Sequence, residues 1–145
     1  MKVFLGADHG GFATKELLKS ELSAKGFDVV DLGTGSGESV DYPDYAEKVV
    51  RRVLKEKGSL GILVCGTGVG MCIAANKIAG ISAALVYSDE VAKLAREHND
   101  SNVACFGGRT QKPQDVLRMA LLWLATPFSG GARHVRRLAK TAKLR

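Results

Sequence analysis

The chain of 145 residues is 46% hydrophobic and 25% charged, with a formal net charge of +6, a composition typical of one globular domain with its own core. No apolar run approaches the roughly 20 residues that cross a bilayer, and no leader segment precedes the first apolar run, so we expect a cytoplasmic protein with no membrane partner. The three cysteines form no C-x-x-C pair, which indicates neither a disulfide framework nor a zinc site, and we expect no bound metal.

The whole net charge lies at the C-terminus. Residues 133–145 contain six of the 21 Lys and Arg residues and no acid, whereas 15 basic and 15 acidic residues balance before them. A basic tail is one mark of nucleic-acid binding. Few aromatic residues accompany it, however, and the rest of the chain is neutral, unlike a broad nucleic-acid-binding face. We therefore favour a compact anion site and predict no nucleic-acid partner.

Apolar periodicity, with glycines that close the helices, predicts alternating strands and helices along the chain. In chain order we predict a strand over 2–6, a helix over 12–25, a strand over 27–32, a helix over 45–57, a strand over 60–64, a helix ending at 79, a strand over 81–86, a helix over 88–98, a strand over 102–106, a helix over 113–125 and a final basic helix after residue 131. This succession predicts one domain over residues 1–145, with a C-terminal helical extension from about residue 130.

Five strands that alternate with helices predict an α/β fold, a doubly wound, Rossmann-like parallel sheet with helices on both faces. Right-handed crossovers favour the strand order 2-1-3-4-5. In such a sheet, ligands bind where the carboxyl ends of strands one and three diverge. Those ends carry Asp8-His9 and Cys65-Gly66-Thr67, so we expect these two motifs to lie side by side at the site.

The sequence Cys65-Gly66-Thr67-Gly68-Val69-Gly70 follows the third strand and opens a helix. Three glycines in five positions let the backbone turn sharply and expose its N–H groups, and the helix N-terminus adds unpaired donors and a partial positive charge. Met71 breaks the dinucleotide fingerprint G-x-G-x-x-G and stands where a phosphatase-type cysteine loop needs an arginine. The motif indicates an anion or oxyanion site beside a thiol, although a buried, inert cysteine is the commoner case for an isolated cysteine.

Cys65 is a candidate nucleophile or general base, because a helix N-terminus lowers the pKa of a neighbouring thiol. The loop N–H groups and the Thr67 hydroxyl would stabilise an oxyanion beside that thiol. Cys72 and Cys105 lie where core residues of a helix and a strand are expected, so we expect both to be inert.

Two histidines and two arginines are further candidates. His9 and His98 lie at the ends of predicted elements, each beside a second polar residue. Arg133 and Arg137 are four residues apart, hence on one helix face, and suit a phosphate group. A solvated basic face explains these arginines equally well.

Six motifs occur in order from the first strand to the last helix. They are Gly6-Ala7-Asp8-His9-Gly10-Gly11-Phe12, Asp41-Tyr42-Pro43, Cys65-Gly66-Thr67-Gly68-Val69-Gly70 with Ala74-Ala75-Asn76-Lys77, Arg96-Glu97-His98-Asn99-Asp100, Gly107-Gly108-Arg109 and Arg133-His134-Val135-Arg136-Arg137. With these motifs the chain resembles the type B ribose-5-phosphate isomerases, a family that also includes allose-6-phosphate isomerase and the galactose-6-phosphate isomerase subunits. Some relatives lack the cysteine and use a glutamate at the position of Met71 as the base, whereas here Cys65 is present.

The resemblance implies an aldose–ketose isomerase that interconverts ribose 5-phosphate and ribulose 5-phosphate without a metal or organic cofactor. His98 would help to open the sugar ring, the thiolate of Cys65 would take the C2 proton, and Asp8 would move hydroxyl protons. The other implied residues hold the substrate and its enediolate. These are Thr67, Gly66, Gly68 and Gly70 for the enediolate, Tyr42 and Asn99 for sugar hydroxyls, and His9, Arg109, Arg133 and Arg137 for the phosphate.

Two alternatives remain open on the sequence alone. One is an isomerase of a six-carbon sugar phosphate, allose or galactose 6-phosphate, since the depth of the pocket depends on loop conformation. The other is a non-catalytic nucleotide-binding module, which would use the glycine loop and the basic tail. Such a module has no use for Cys65, Asp8 and His98 together.

We also expect the site to be shared between two chains. Cys65 lies at the carboxyl edge of the predicted sheet, whereas His98 ends a helix that runs away from that edge. Ten helical residues span about 15 Å, so His98 is too far from Cys65 of its own chain. A homodimer with two-fold symmetry, possibly within a tetramer, would bring both to one sugar phosphate.

Overall fold

The computed structural model describes residues 1–144 as a sandwich of one parallel sheet between two layers of helices. Its elements are β1 (Lys2–Ala7), α1 (Phe12–Ala24), β2 (Asp28–Asp31), α2 (Tyr42–Lys55), β3 (Leu60–Cys65), α3 (Val69–Asn76), β4 (Ala83–Leu85), α4 (Asp89–Glu97), β5 (Val103–Gly107), α5 (Pro113–Ala125) and α6 (Ala132–Ala142). The predicted α/β class, the five parallel strands and the final basic helix are confirmed. Arg145, the last of the basic residues counted at the C-terminus, lies outside the described residues.

The strand order is β2-β1-β3-β5-β4, so the predicted order 2-1-3-4-5 is wrong in its last two positions. β5 pairs with β3, with Cys65 beside Gly107, and β4 forms the edge. All five residues of β5 are buried, whereas the three residues of β4 are only partly buried. The inner position therefore goes to the strand that is apolar on both faces.

Each face of the sheet has its own core, because successive side chains of a strand point to opposite faces. Helices α1, α4 and α5 cover one face, where Trp123 is fully buried. Helices α2 and α3 cover the other face, where Cys65, Met71 and Cys105 lie in the core. The thiol of Cys65 therefore faces α2 and α3 and not the Trp123 side.

Helix boundaries differ from the predicted ones where a side chain starts or ends a helix. α2 begins at Tyr42 and not at residue 45, because Pro43 fits the first turn, where no N–H is needed. α3 ends at Asn76 and not at residue 79, because the Asn76 amide bonds both the N–H and the carbonyl of Ala83, at 2.8 and 2.9 Å. No helix within residues 1–144 is long and apolar enough to cross a membrane.

Candidate active site

Three loops meet at the carboxyl edge of the sheet, where β1, β3 and β5 end side by side. The Asp8 N–H donates to the Val64 carbonyl at 3.2 Å, and the Gly108 N–H donates to the Cys65 carbonyl at 2.7 Å. The Arg109 N–H donates to the Gly66 carbonyl at 2.9 Å. The structure thus brings Asp8, Cys65 and Arg109 together within one chain. Arg109 reaches the glycine loop because β5 pairs with β3. In the predicted strand order, β4 would separate the loop after β5 from the loop after β3.

The Cys65 thiol is only 4% exposed and lies at the start of the glycine loop. The Gly68 N–H donates to its Sγ at 3.1 Å. A backbone donor at a helix N-terminus stabilises sulfur in the negatively charged thiolate form. Gly68 adopts φ +81, and a Cβ there would lie 2.8 Å from the carbonyl carbon of Phe106. Only glycine therefore lets this N–H point at the thiol.

The loop offers further donors beside the thiol. The Thr67 Oγ1 accepts the Val69 N–H at 3.2 Å, which leaves the hydroxyl proton of this exposed residue free to bond a ligand oxygen. The Tyr42 ring lies over Gly70, where an added Cβ would come within 2.7 Å of the ring carbon that bears the hydroxyl. The absence of a side chain at Gly70 thus lets the Tyr42 phenol lie against the loop.

The loop after β1 holds two polar residues in fixed positions. Asp8 is 7% exposed, and its Oδ1 accepts the Gly10 N–H at 2.9 Å. The Nδ1 of His9 accepts the Val40 N–H at 3.2 Å. In the neutral imidazole the proton is therefore on Nε2, which is a donor available to a ligand. The Arg109 guanidinium lies against the glycine loop, since its Nη1 would be 3.5 Å from a Cβ added at Gly66. Arg109 therefore adds a cation to this group.

Four other predicted site residues lie together at the opposite, amino edge of the sheet. They are His98, Asn99, Arg133 and Arg137. The Ser101 N–H donates to the Ala95 carbonyl and the Asn102 N–H to the Ser82 carbonyl, both at 3.0 Å, so the end of α4 is fixed beside the starts of β4 and β5. A cavity of about 800 Å³ at this edge is lined by Asn99 and by Leu138 of α6, but not by Cys65.

A residue that the sequence analysis did not single out completes this second group. His134 of α6 stacks on His98, with 4.2 Å between ring centroids and 15° between ring planes. Its imidazole is only 8% exposed. Partial burial, together with the charges of His98, Arg133 and Arg137, lowers the pKa of His134. The available signal was its place inside a basic motif, where a lone histidine is easily taken for a surface residue.

The predicted site residues therefore fall into two groups within one chain. The carboxyl-edge group contains the thiol, and the amino-edge group contains the His98 imidazole. The nine residues of α4 separate the two edges by about 13 Å. Among residues 1–144, no three His, Cys, Asp or Glu side chains are grouped so that they could hold a metal ion.

The other two thiols differ from each other. Cys105 is fully buried, and a hydrogen bond with Cys72, followed by burial, raises its pKa well above the ordinary value. Cys72 is half-buried, and the hydrogen bond with Cys105 lowers its pKa to about 7 although burial opposes this. Cys72 is therefore a more acidic thiol than the inert core residue expected from the sequence.

Comparisons with known proteins identify the family of this chain. The Ribose/Galactose Isomerase family pattern matches residues 3–141. The chain is 42% identical to ribose-5-phosphate isomerase B of Escherichia coli over 137 residues, which cover 94% of this chain and 91% of that protein.

Two solved structures have the same fold. The ribose 5-phosphate isomerase of Thermotoga maritima superposes with a TM-score of 0.95 at 46% identity, covering 99% of this chain and 98% of the other. The ribose-5-phosphate isomerase B of Mycoplasma genitalium was solved with bound ribulose-5-phosphate. It superposes with a TM-score of 0.94 at 42% identity, covering 98% of this chain and 94% of the other. Because sequence pattern, length and fold agree from the first strand to the last helix, the chain belongs to the ribose/galactose isomerase family.

Proposed function

We propose that the protein is an aldose–ketose isomerase that interconverts ribose 5-phosphate and ribulose 5-phosphate, with Cys65 as the base. The hydrogen bond from the Gly68 N–H to the Cys65 Sγ, at 3.1 Å, carries this proposal. It stabilises a thiolate at the edge of the sheet where backbone donors converge. The relatives named ribose-5-phosphate isomerase B, and the Mycoplasma genitalium structure with ribulose-5-phosphate, support the five-carbon substrate.

The chemistry requires a base and a site for negative charge. The thiolate takes the proton from C2 of the open-chain aldose, and electrons move onto O1. The proton of the C2 hydroxyl then passes to O1, and C1 regains the proton from the Cys65 thiol as the C2 carbonyl of the ketose forms. The negative charge on O1 needs hydrogen-bond donors, which the loop of residues 66–70 and the Thr67 hydroxyl supply. Each well-placed donor of this kind contributes about 10²–10³ in rate.

Substrate binding uses both groups of residues. Asp8, next to the thiol, carries protons between hydroxyl groups, and the Tyr42 phenol and Asn99 amide bond the sugar. The His9 Nε2–H and the Arg109 guanidinium meet the phosphate on the thiol side, and Arg133 and Arg137 add two more cations. A guanidinium binds phosphate through paired N–H donors.

The amino-edge residues belong to the site of a second chain. His98 must reach the same sugar as Cys65 in order to open its ring, yet α4 separates the two edges by about 13 Å. A two-fold dimer presents His98, Asn99, Arg133 and Arg137 of one chain to Cys65 of the other, and creates two equivalent sites. A tetramer formed from two such dimers would leave this arrangement unchanged.

Proton exchange tests the role of Cys65 directly. In D₂O, the Cys65→Ala variant is expected to lose about 10²–10⁴-fold in the rate of deuterium incorporation into ribulose 5-phosphate, because the base is gone. Ribulose 5-phosphate should still raise its melting temperature, since the binding residues remain. The Cys72→Ser variant is the matched control and should exchange at the wild-type rate. Exchange by Cys65→Ala at a rate near wild type would show that another group is the base.

Substrate class needs its own measurement. The kcat/KM values for ribose 5-phosphate, allose 6-phosphate and galactose 6-phosphate are compared under one set of conditions. We expect ribose 5-phosphate to give the highest value. A higher value for either six-carbon substrate would overturn the substrate assignment but not the isomerase chemistry.

A further inference from the structure

His134 differs from every other residue of α6. It is the single buried residue of Ala132–Ala142, a helix that otherwise presents mostly charged or exposed side chains. Its imidazole is stacked on that of His98 with a centroid separation of 4.2 Å and an interplanar angle of 15°. The proposed chemistry uses His98 but assigns nothing to His134.

The stack restricts what His98 can do. A nearly parallel ring at 4.2 Å blocks one face of the His98 imidazole and limits rotation about its side-chain bonds. The backbone beneath it is also fixed, because the His98 N–H donates to the Leu94 carbonyl at 2.9 Å and the Ser129 N–H donates to the Glu97 carbonyl at 3.2 Å. His98 is thus held from its own helix and from the segment that leads into α6.

Charge around the stack opposes protonation of His134. Arg133 and Arg137 flank it on α6, and together with burial and His98 they lower its pKa. On the α4 side, the charge of Arg96 is paired with that of Asp100, at 3.1 Å. The acidic residue Glu97 directly precedes His98 in the chain. Two cationic imidazoles in a stack repel each other. With its pKa lowered, His134 adds no second positive charge to the stack at neutral pH.

We propose that His134 is a positioning residue for His98, and that the stacked ring holds the His98 imidazole in the one orientation that opens the sugar ring. This inference rests on the proposed function, in which His98 passes the proton of the anomeric hydroxyl to the ring oxygen. In ribofuranose 5-phosphate, O1 loses its proton to His98, the C1–O4 bond breaks as the C1–O1 double bond forms, and O4 receives the proton from the imidazole. The aldehyde that results is the substrate of Cys65.

The reverse substrate isolates this step. Ribulose 5-phosphate has no five-membered ring form, because its C5 hydroxyl is esterified. Deuterium exchange at C1 of ribulose 5-phosphate therefore needs Cys65 but no ring opening. Loss of a well-oriented His98 should slow conversion of ribose 5-phosphate and leave this exchange intact, whereas general damage to the site would slow both.

The experiment compares His134→Ala with His134→Phe, a variant that keeps an aromatic ring on His98. We expect His134→Ala to lower kcat for ribose 5-phosphate about 10- to 100-fold, as misorientation of a catalytic group does. Exchange of ribulose 5-phosphate should stay within about threefold of wild type, and His134→Phe should recover most of the lost activity. Far-UV circular dichroism and size-exclusion chromatography of each variant check folding and assembly.

His98→Ala is measured in parallel so that the two proposals are tested separately. If His98→Ala converts ribose 5-phosphate at the wild-type rate, the role of His98 in the proposed function is wrong. If His98→Ala is inactive and His134→Ala is as active as wild type, only the positioning role is overturned. A parallel loss of conversion and exchange in both His134 variants also overturns it, because the residue would then act on the whole site.

Discussion

At the scale of single residues, the glycine loop depends on a backbone conformation that other residues rarely adopt. Gly68→Ala would place a Cβ at φ +81 and 2.8 Å from the backbone of Phe106. We expect a loss of about 1–3 kcal/mol in the free energy of unfolding, from strain at this φ, and a lower kcat because the Gly68 N–H moves away from Cys65. Urea denaturation and steady-state kinetics measure the two effects.

Gly37→Ala is the control for this variant, because no atom lies within 4 Å of a Cβ at Gly37 and its φ is not in the left-handed region. It should change neither stability nor kcat. If Gly68→Ala is as stable and as active as Gly37→Ala, the conformation of the loop does not determine the thiol's environment.

Cys72 and Cys105 provide a second test at this scale. The hydrogen bond with Cys105 lowers the pKa of Cys72 to about 7, so its reactive thiolate form should increase as the pH rises through that value. We expect the rate of Cys72 carbamidomethylation by iodoacetamide, measured by peptide mass spectrometry, to reach half its plateau near pH 7. Buried Cys105 should remain unlabelled in the folded protein.

Denatured protein gives the reference for Cys72, since an unperturbed thiol titrates near 8.5. The Cys105→Ala variant removes the hydrogen-bond partner and should move the Cys72 midpoint upward. A wild-type midpoint already near 8.5 would contradict the contact between the two thiols.

At the scale of elements, a buried ion pair joins α1 to the end of β2. Lys15 is 1% exposed, and its Nζ lies 2.6 Å from the Asp31 Oδ2, while the Asp31 Oδ1 accepts the Gly33 N–H at 2.8 Å. Burial raises the pKa of Asp31, but the bonds from Lys15, Gly33 and Lys19 together hold it below its ordinary value. This ion pair fixes the loop that follows β2. The Thr34 N–H of that loop donates to the carbonyl of Ala7, the residue before Asp8.

Removal of the Lys15 ammonium leaves Asp31 without its buried partner, so Lys15→Met should lower the free energy of unfolding by on the order of 3 kcal/mol at pH 7. Because the folded-state pKa of Asp31 is lowered, its contribution is present above about pH 4 and is lost as the pH falls through the folded-state value. Wild type and Lys15→Met should therefore differ less in urea denaturation at pH 3 than at pH 7. Lys19→Met, whose side chain is 48% exposed, serves as the control with a small effect, and an equal difference at both pH values would contradict this account.

The elements also show how far the sequence predicts the fold. Helix α5 was predicted over the residues that form it, because Pro113 and the leucine-rich face mark it clearly. The order of β4 and β5 was not predicted correctly, because the crossover rule does not say which strand is inner. Comparison of apolar content would have helped, since β5 is buried throughout and β4 is not.

The sequence predicts those parts of the site whose positions follow from the ends of individual strands. Parallel strands end at one edge, so the adjacency of Asp8 and Cys65 follows from topology. The contact of Arg109 with the Gly66 loop depends on the strand order, and the His98–His134 stack depends on where α6 folds back after Ser129. No periodicity in the sequence fixes either of these, because both depend on long-range packing.

At the scale of the whole molecule, the separation of the two groups of site residues predicts complementation between inactive chains. Cys65→Ala removes the proposed base, and His98→Ala removes the proposed ring-opening group. If each site takes Cys65 from one chain and His98 from the other, a mixed dimer has one site with both lesions and one site with neither. After denaturation and refolding of an equimolar mixture, half of the dimers are mixed, so about a quarter of wild-type activity should return.

The conversion of ribose 5-phosphate measures this recovery, and native mass spectrometry of differently tagged chains measures the mixed dimer. Each variant refolded alone should stay inactive, which excludes recovery from refolding itself. If each site belonged to a single chain, every site in the mixture would keep one lesion. Mixed dimers without recovered activity would therefore refute the shared site, because the 13 Å that α4 places between the two edges would then have to be bridged within one chain.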